Sequence, residues 1–209
     1  MKPVIIFDWD GTLCDSMPLC IEENRITLQT MGLPVPPEEV IRRCNGPTYL
    51  EAVPILNVPQ ERAEEYCRIR LNTALEIVPR VNRLYEGARE LLLTFREHAI
   101  LCIASNAAED YLRLCLQTFH LEGVFSRVST ARPGRTKTEN VAALITEFRP
   151  ERAVMVGDRL GDILAGQANG LPAIAAAYGY GNEEEYAQAD LRANTMAELH
   201  ALLQDFTKE

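Results

Sequence analysis

The sequence predicts an α/β fold built on a doubly wound parallel sheet, because short apolar runs alternate with helical patterns along most of the chain. Residues 3–7, 99–105 and 152–157 predict buried parallel strands, since each is a brief apolar block that ends in a polar turn. Residues 171–177 predict a fourth strand and residues 125–130 a weaker fifth. The helical patterns between them cover residues 86–97, 109–119, 137–148 and 162–169.

A long segment after the first strand interrupts this alternation. Residues 16–84 contain several prolines and helix-like periodicity but no convincing strand. About 70 residues are too many for an ordinary strand-to-helix connection. We therefore predict an inserted all-α domain at residues 16–79, with residues 1–15 and 80–209 forming the α/β core. Four helices are expected in the insert, at about 16–31, 37–44, 48–56 and 60–78.

The composition limits the partners and the compartment of the protein. The 209 residues carry a net charge of −9, which argues against nucleic acid or an anionic membrane surface as a partner. The six cysteines form no CxxC pair and have no histidine cluster near them, which favours a reducing, cytoplasmic compartment. The first apolar run is too short for a signal peptide, and no run is long enough for a membrane span.

Polar residues collect where the predicted strands end. In open α/β sheets, ligands bind beyond the carboxyl ends of the strands, so these residues are expected at one rim. They are Asp8, Asp10, Gly11 and Thr12 after the first strand, Ser105 and Asn106 after the second, Asp158 and Asp162 after the strand at 152–157, and Lys137 at the start of a helix.

Three of the carboxylates predict a magnesium site and a nucleophile. Asp8, Asp10 and Asp158 would repel one another at one point unless a cation lay between them. Mg²⁺ suits such a group, because it binds carboxylate and carbonyl oxygens and keeps part of its water shell. Asp8, held rigidly by its strand, can attack phosphorus. Asp10 can then protonate the leaving group and later activate water.

The other polar residues suit phosphate binding. Gly11 allows the backbone to approach phosphoryl oxygens closely. Thr12, Ser105 and Asn106 offer short polar contacts, and Lys137 supplies a positive charge.

Each of these residues taken alone also has an ordinary structural interpretation. An aspartate at a strand end is often only a turn former, and a lysine that opens a helix is usually solvated. The D-x-D-G spacing also occurs in EF-hand loops, but the positions that need Gly and Glu hold Leu13 and Leu19. The joint arrangement of all these residues, rather than any one of them, favours an active site.

Four segments resemble, in order, the motifs of the haloacid dehalogenase-like superfamily. They are DWDGT at 8–12, SN at 105–106, Lys137, and VGDRLGD at 156–162. The helical insert resembles the cap that this superfamily carries after its first motif. The segments at 85–95 and 178–190 further resemble the phosphoglycolate phosphatase-like branch.

This resemblance implies a Rossmann-like sheet in the order 5-4-1-2-3 under a helical cap. It implies Asp8 as nucleophile and Asp10 as general acid and base, with Mg²⁺ held by Asp8, the Asp10 backbone carbonyl and Asp158. Ser105 and Lys137 would hold the phosphoryl group. Asp162 falls on the second acid of the fourth motif and would orient the metal site or the lysine.

The resulting expectation is a Mg²⁺-dependent phosphomonoesterase that acts through an aspartyl-phosphate. Its substrate would be a small phosphorylated metabolite, such as a phosphoglycolate-like compound or a sugar or nucleoside monophosphate. A phosphotransferase or sugar-phosphate mutase of the same family is the alternative, and a non-catalytic regulatory protein on this fold is a further one. The sequence indicates neither the substrate itself nor the oligomeric state.

Substrate selection is expected to depend on the insert, because the core residues contact only phosphate and metal. Arg43 and Asn45 lie in a turn between two predicted helices, and we hypothesise that one of them contacts the leaving group. The simpler interpretation, a basic helix end followed by a Gly-Pro turn, stays open. Trp9, which stands where the family usually has a smaller aliphatic residue, is given no role.

Overall fold

Six parallel strands form the central sheet of the protein, whose computed structural model describes residues 2–208. Along the chain the strands are β1 (Val4–Phe7), β2 (Cys14–Asp15), β3 (Arg83–Leu84), β4 (Ile100–Ala104), β5 (Arg127–Ser129), β6 (Ala153–Gly157), β7 (Ala173–Ala176) and β8 (Leu191–Ala193). The sheet has the order β5-β4-β1-β6-β7-β8, and β2 pairs with β3 in a separate antiparallel ribbon. The predicted order 5-4-1-2-3 corresponds to β7-β6-β1-β4-β5 and is confirmed.

Ten helices accompany these strands within the described residues. They are α1 (Met17–Thr30), α2 (Glu38–Arg42), α3 (Tyr49–Ile55), α4 (Ala63–Val81), α5 (Ala88–Phe95), α6 (Glu109–Thr118), α7 (Lys137–Phe148), α8 (Leu160–Gln167), α9 (Glu183–Tyr186) and α10 (Met196–Lys208). A short 3₁₀ turn at Gln60–Arg62 precedes α4. Residues 2–208 include no helix with both the length and the apolarity that crossing a membrane requires.

The strands missing from the sequence prediction are the shortest ones. β8 has three residues, of which the first two are exposed, so it shows no apolar run. β2 and β3 have two residues each and pair only because the chain returns to the same place at the end of α4. Such pairs depend on distant segments of the chain, which a local pattern does not reveal.

Alternation along β1 directs its side chains to two hydrophobic layers. Ile5 and Phe7 pack into a cluster with residues of α5, α6 and α10. Val4 and Ile6 pack into a second cluster with residues of α7 and α8. Helices therefore cover both faces of the sheet, as a parallel sheet requires.

The helices α1 to α4, called the cap helices below, have a hydrophobic cluster of their own. Leu28, Ile41, Val53 and Tyr66 are among its buried members, one from each cap helix. The chain leaves the core through β2 and returns through β3. The division at residues 16 and 79 stays a prediction.

Trp9 has a packing role that the sequence did not suggest. It continues the alternation of Ile5 and Phe7, is fully buried in the same cluster, and its ring centroid lies 6.2 Å from that of Phe119. Its bulk therefore fills the layer beneath α5 and α6, directly beside the two aspartates.

We expect Trp9→Ala to lower the free energy of unfolding by about 3–5 kcal/mol, because it removes a fully buried aromatic side chain. Leu93→Ala is the control, since Leu93 is 42% exposed and its truncation should change stability by no more than about 0.5 kcal/mol. Urea unfolding followed by circular dichroism measures both. Similar losses in the two variants would contradict the packing role of Trp9.

Candidate active site

The carboxyl ends of β1 and β6 bring two buried carboxylates together. Asp8 directly follows β1, and its backbone N–H still donates to the Val156 carbonyl at 2.8 Å, so the sheet fixes its position. Asp158 directly follows β6 and is fully buried. Ser105 follows β4 in the same way, and its N–H donates to the Ser129 carbonyl at 2.9 Å. The predicted rim therefore exists.

Lys137 links this rim to α7 and α8. Its Nζ lies 3.0 Å from Asp8 Oδ1 and 2.5 Å from Asp162 Oδ1, and all three side chains are at least nine-tenths buried. A capping box between Thr136 and Glu139 fixes the start of α7, and therefore the place of the lysine. Burial opposes the charge of Lys137, but the Asp162 and Asp8 carboxylates outweigh it and raise its pKa above the usual value.

Asp162 is held by contacts on both of its oxygens. Oδ1 accepts from Lys137, and Oδ2 accepts from the Arg159 backbone N–H at 3.0 Å. Gly157 makes room for it, because a Cβ at Gly157 would lie 2.2 Å from Asp162 Cβ. Asp162 therefore orients the lysine, in agreement with one of the two roles that the resemblance implies.

Glycines also make room for Asp158. Gly11 has a φ of +81°, a left-handed conformation that glycine adopts readily, and a Cβ there would lie 2.2 Å from Asp158 Oδ2. The Tyr180 backbone N–H donates to the same oxygen at 2.8 Å. The Thr12 hydroxyl contacts Asp158 Oδ1 at 3.4 Å. Gly11 and Thr12 thus act on the position of Asp158 in this arrangement.

The buried carboxylates fit a divalent cation. One oxygen from each of Asp8, Asp158 and Asp162 lies within 4.8 Å of the other two. Burial raises the pKa of Asp8 to about 7, with Asp162 acting in the same direction and Lys137 against it. Burial also raises the pKa of Asp158 well above its usual value. Such shifts indicate negative charge that one lysine does not balance, as expected where a cation binds.

The pattern of contacts separates the three carboxylates. Asp162 uses both oxygens on protein donors, whereas no aligned hydrogen bond from residues 2–208 reaches Asp8 Oδ1, despite the nearby Lys137. Asp8 and Asp158 therefore fit direct ligands better than Asp162 does.

Asp10 lies two residues beyond Asp8 and is only half-buried. Its Oδ1 accepts a hydrogen bond from the Tyr111 hydroxyl at 2.7 Å, and that hydroxyl accepts from Asn82 Nδ2 at 3.0 Å. Burial raises the pKa of Asp10, and the hydrogen bonds of Ser16 and Tyr111 act against this shift. A carboxyl group with a raised pKa can donate a proton, as a general acid must.

A cavity of about 460 Å³ separates the cap helices from this rim. Asp8, Asp10, Ser105, Asn106 and Tyr111 line its core side. The side formed by the cap helices, called the cap wall below, includes Glu23, Asn45, Tyr49 and Arg70.

The structure separates the two candidates for substrate contact. Asn45 is buried in the cap wall, where its Nδ2 lies 3.3 Å from Ser16 Oγ. Arg43 is exposed and does not line the cavity. It follows α2 on the solvent side, so the hypothesis that Arg43 contacts the leaving group does not match this geometry.

Sequence reasoning missed the charged pair of the cap wall. Glu23 lies four residues after Leu19 and three after Cys20, so this acid falls on the apolar face of α1. That position was the available signal. Its partner, Arg70, lies 47 residues away on α4, and nothing local connects the two.

The haloacid dehalogenase-like hydrolase family model matches residues 5–176, which is more than half of the chain. The chain belongs to this family. Among proteins of this kind, it is 29% identical over 187 residues to tyrosine-protein kinase PtkA of Mycobacterium tuberculosis, covering 87% of this chain. It spans only 64% of the length of that kinase.

Two relatives of closely similar length carry phosphatase names. A 5′-nucleotidase of Pseudomonas aeruginosa is 28% identical over 215 residues, with 97% of this chain and 94% of the relative covered. A phosphoglycolate phosphatase of Psychrobacter arcticus is 25% identical over 203 residues, with 90% and 88% covered.

Solved structures of haloacid dehalogenase-like proteins share the whole fold. The crystal structure of a predicted phosphatase from Clostridium acetobutylicum superposes with a TM-score of 0.87 at 22% identity, covering 98% of this chain and 99% of that one. The structure of PtkA superposes with a TM-score of 0.81 at 29% identity, covering 97% and 98%.

We expect Gly11→Ala to displace Asp158, because the new Cβ meets its carboxylate. Gly123→Ala is a matched control, since Gly123 has a φ of +80° and no heavy atom lies within 4 Å of its Cβ position. Both variants bear the strain of a left-handed alanine, but only the first is overpacked, so it should lose about 1–3 kcal/mol more of unfolding free energy. Urea unfolding measures the difference, and equal losses would contradict the proposed contact.

Proposed function

We propose that the protein is a Mg²⁺-dependent phosphomonoesterase that hydrolyses a small phosphorylated metabolite through an aspartyl-phosphate on Asp8. The observation that carries this proposal is the arrangement of Asp8 and Asp10 on one wall of the cavity, with Lys137 Nζ 3.0 Å from Asp8 Oδ1. A nucleophile, a proton donor and a fixed positive charge thus adjoin a space that a phosphate ester can enter.

The carboxylates of Asp8 and Asp158 and the backbone carbonyl of Asp10 would hold the cation. When bound, Mg²⁺ would neutralise charge on the phosphoryl oxygens and on the attacking carboxylate. Fixed buried carboxylates suit this role because they form before the metal binds and need little rearrangement.

The side chains of this site can divide the reaction into two steps. In the first, an Asp8 oxygen attacks phosphorus while Asp10 gives its proton to the leaving oxygen, and the alcohol departs. Lys137, Ser105 and Asn106 hold the phosphoryl oxygens. In the second, Asp10 takes a proton from water, the hydroxide attacks phosphorus, and the bond to Asp8 breaks to release inorganic phosphate.

The names of the two relatives of similar length support a small phosphorylated substrate. The relationship to PtkA favours a second candidate, in which a hydroxyl group other than water accepts the phosphoryl group from Asp8. Equal yields of alcohol and phosphate would indicate hydrolysis. An excess of alcohol over phosphate, when an acceptor is added, would indicate transfer.

We also propose the cytoplasmic location that the cysteines predict. All six are free thiols, and five of them are buried. Free thiols in the core are typical of proteins that stay in a reducing compartment.

Asp8→Asn is expected to lower kcat for p-nitrophenyl phosphate by at least about a thousandfold, because the amide is no nucleophile. Removal of divalent cations with EDTA should abolish the activity of the unmodified protein, and Mg²⁺ should restore it. Asp205→Asn, at an exposed position of α10, is the matched control and should retain full activity. Near-normal Mg²⁺-dependent hydrolysis by Asp8→Asn would reject Asp8 as the nucleophile.

Tyr111→Phe should reveal the proton donor through the leaving group. The variant loses the hydrogen bond that orients Asp10, which is worth about tenfold in rate where proton transfer matters. We expect that loss in kcat for ethyl phosphate, whose alkoxide must be protonated. The loss should be smaller for p-nitrophenyl phosphate, whose leaving group is stable as an anion. Equal losses for both esters would argue against a role of Tyr111 in positioning Asp10.

A further inference from the structure

A buried ion pair forms part of the cap wall, across the cavity from Asp8 and Asp10. Arg70 Nε donates to Glu23 Oε1 at 2.6 Å, and the two side chains are only 4% and 3% exposed. Both residues line the cavity. The pair therefore meets whatever organic group the phosphate ester carries.

Arg70 is fully engaged by the protein. Besides Glu23, its guanidinium donates to the Tyr66 hydroxyl at 3.2 Å and to the Cys44 carbonyl at 3.5 Å. The same group stacks on the ring of Tyr49, 4.0 Å from the ring centroid. Arg70 is the one lysine or arginine that lines this cavity within residues 2–208. A substrate carboxylate would therefore find no free cation on the cap wall.

Glu23 has the opposite property. Its Oε2 is buried and accepts no hydrogen bond within the described part of the chain. Tyr49 lies near enough to lower the pKa of Glu23, but no hydrogen bond of normal length and angle joins the Tyr49 hydroxyl to this oxygen. A buried acceptor without a donor is unfavourable, and a donor from a ligand would relieve that cost.

We propose that the cap wall selects phosphate esters whose organic part presents a hydrogen-bond donor, a hydroxyl or an ammonium group, and disfavours esters that carry a carboxylate. Glu23 accepts the donor, and Arg70 positions Glu23. This inference rests on the proposed function, whose substrate class it narrows. Esters of polyols, sugars and amino alcohols then fit the site, whereas 2-phosphoglycolate does not.

Four two-carbon esters test this selection, because they differ only in the group at the far carbon. Ethyl phosphate has no polar group there, 2-hydroxyethyl phosphate has a hydroxyl, phosphoethanolamine has an ammonium, and 2-phosphoglycolate has a carboxylate. We expect kcat/KM for the hydroxyl or the ammonium ester to exceed that for ethyl phosphate by about tenfold, the usual effect of one hydrogen bond to a charged group. The value for 2-phosphoglycolate should be lower than for ethyl phosphate, and the first two ratios distinguish hydroxyl from ammonium recognition.

Glu23→Gln assigns the selection to one residue. The variant keeps the size of the side chain but removes its charge, so Arg70 gains an unbalanced positive charge. We expect the preference for the donor-bearing esters over ethyl phosphate to fall to about twofold or less, and the relative rate with 2-phosphoglycolate to rise. Glu22→Gln is the matched control, because Glu22 is the preceding residue of α1, 42% exposed and paired with Arg25. Its ratios should equal those of the unmodified protein.

The possible outcomes separate this inference from the proposed function. If none of the four esters nor p-nitrophenyl phosphate is hydrolysed with Mg²⁺, the proposed function is wrong and the inference with it. If they are hydrolysed but 2-phosphoglycolate is equal or preferred, only the inference is wrong. If Glu23→Gln does not fold, the four ratios of the unmodified protein decide the matter. Unchanged ratios in a folded Glu23→Gln variant would also overturn the inference.

Discussion

The contact of Lys137 with Asp8 and Asp162 is the interaction on which the rest of the site depends. It joins β1, α7 and α8, whose residues lie far apart in the chain, at one buried point. Burying three charged groups is costly unless each is paired and hydrogen-bonded, so the surrounding structure must hold them closely. The capping box of α7 and the Arg159 N–H supply that support. The sheet order supplies the rest, because it sets β1 directly beside β6.

Space for these groups comes from backbone without side chains. A Cβ at Gly11 or Gly179 would overlap Asp158, and one at Gly157 would overlap Asp162. The glycines therefore allow carboxylates and main chain to approach more closely than any other residue would permit. The concentration of negative charge that results attracts a cation, which the chemistry of phosphate transfer also requires.

The cap helices close the site through few contacts with the core. Asn106 Nδ2 donates to the Gly46 carbonyl at 3.1 Å, and Arg159 Nη1 donates to the Asn45 carbonyl at 3.3 Å. Chemistry and selection are thus assigned to different parts of the chain. The core supplies nucleophile, proton donor and charge, whereas the buried pair of the cap wall faces the organic group. Such a division lets one reaction serve different substrates through changes in the cap alone.

The sequence by itself determined the five principal strands, most helices and the rim residues, because short apolar runs and the polar residues after them are local signals. It did not reveal β8, the ribbon of β2 and β3, or the packing of Trp9, since these depend on which distant segments meet. The tertiary structure alone removed Arg43 from the cavity, and it alone joined Glu23 to Arg70 across 47 residues. A charge on an apolar helix face can be read from a sequence, but its partner is decided by how two helices pack.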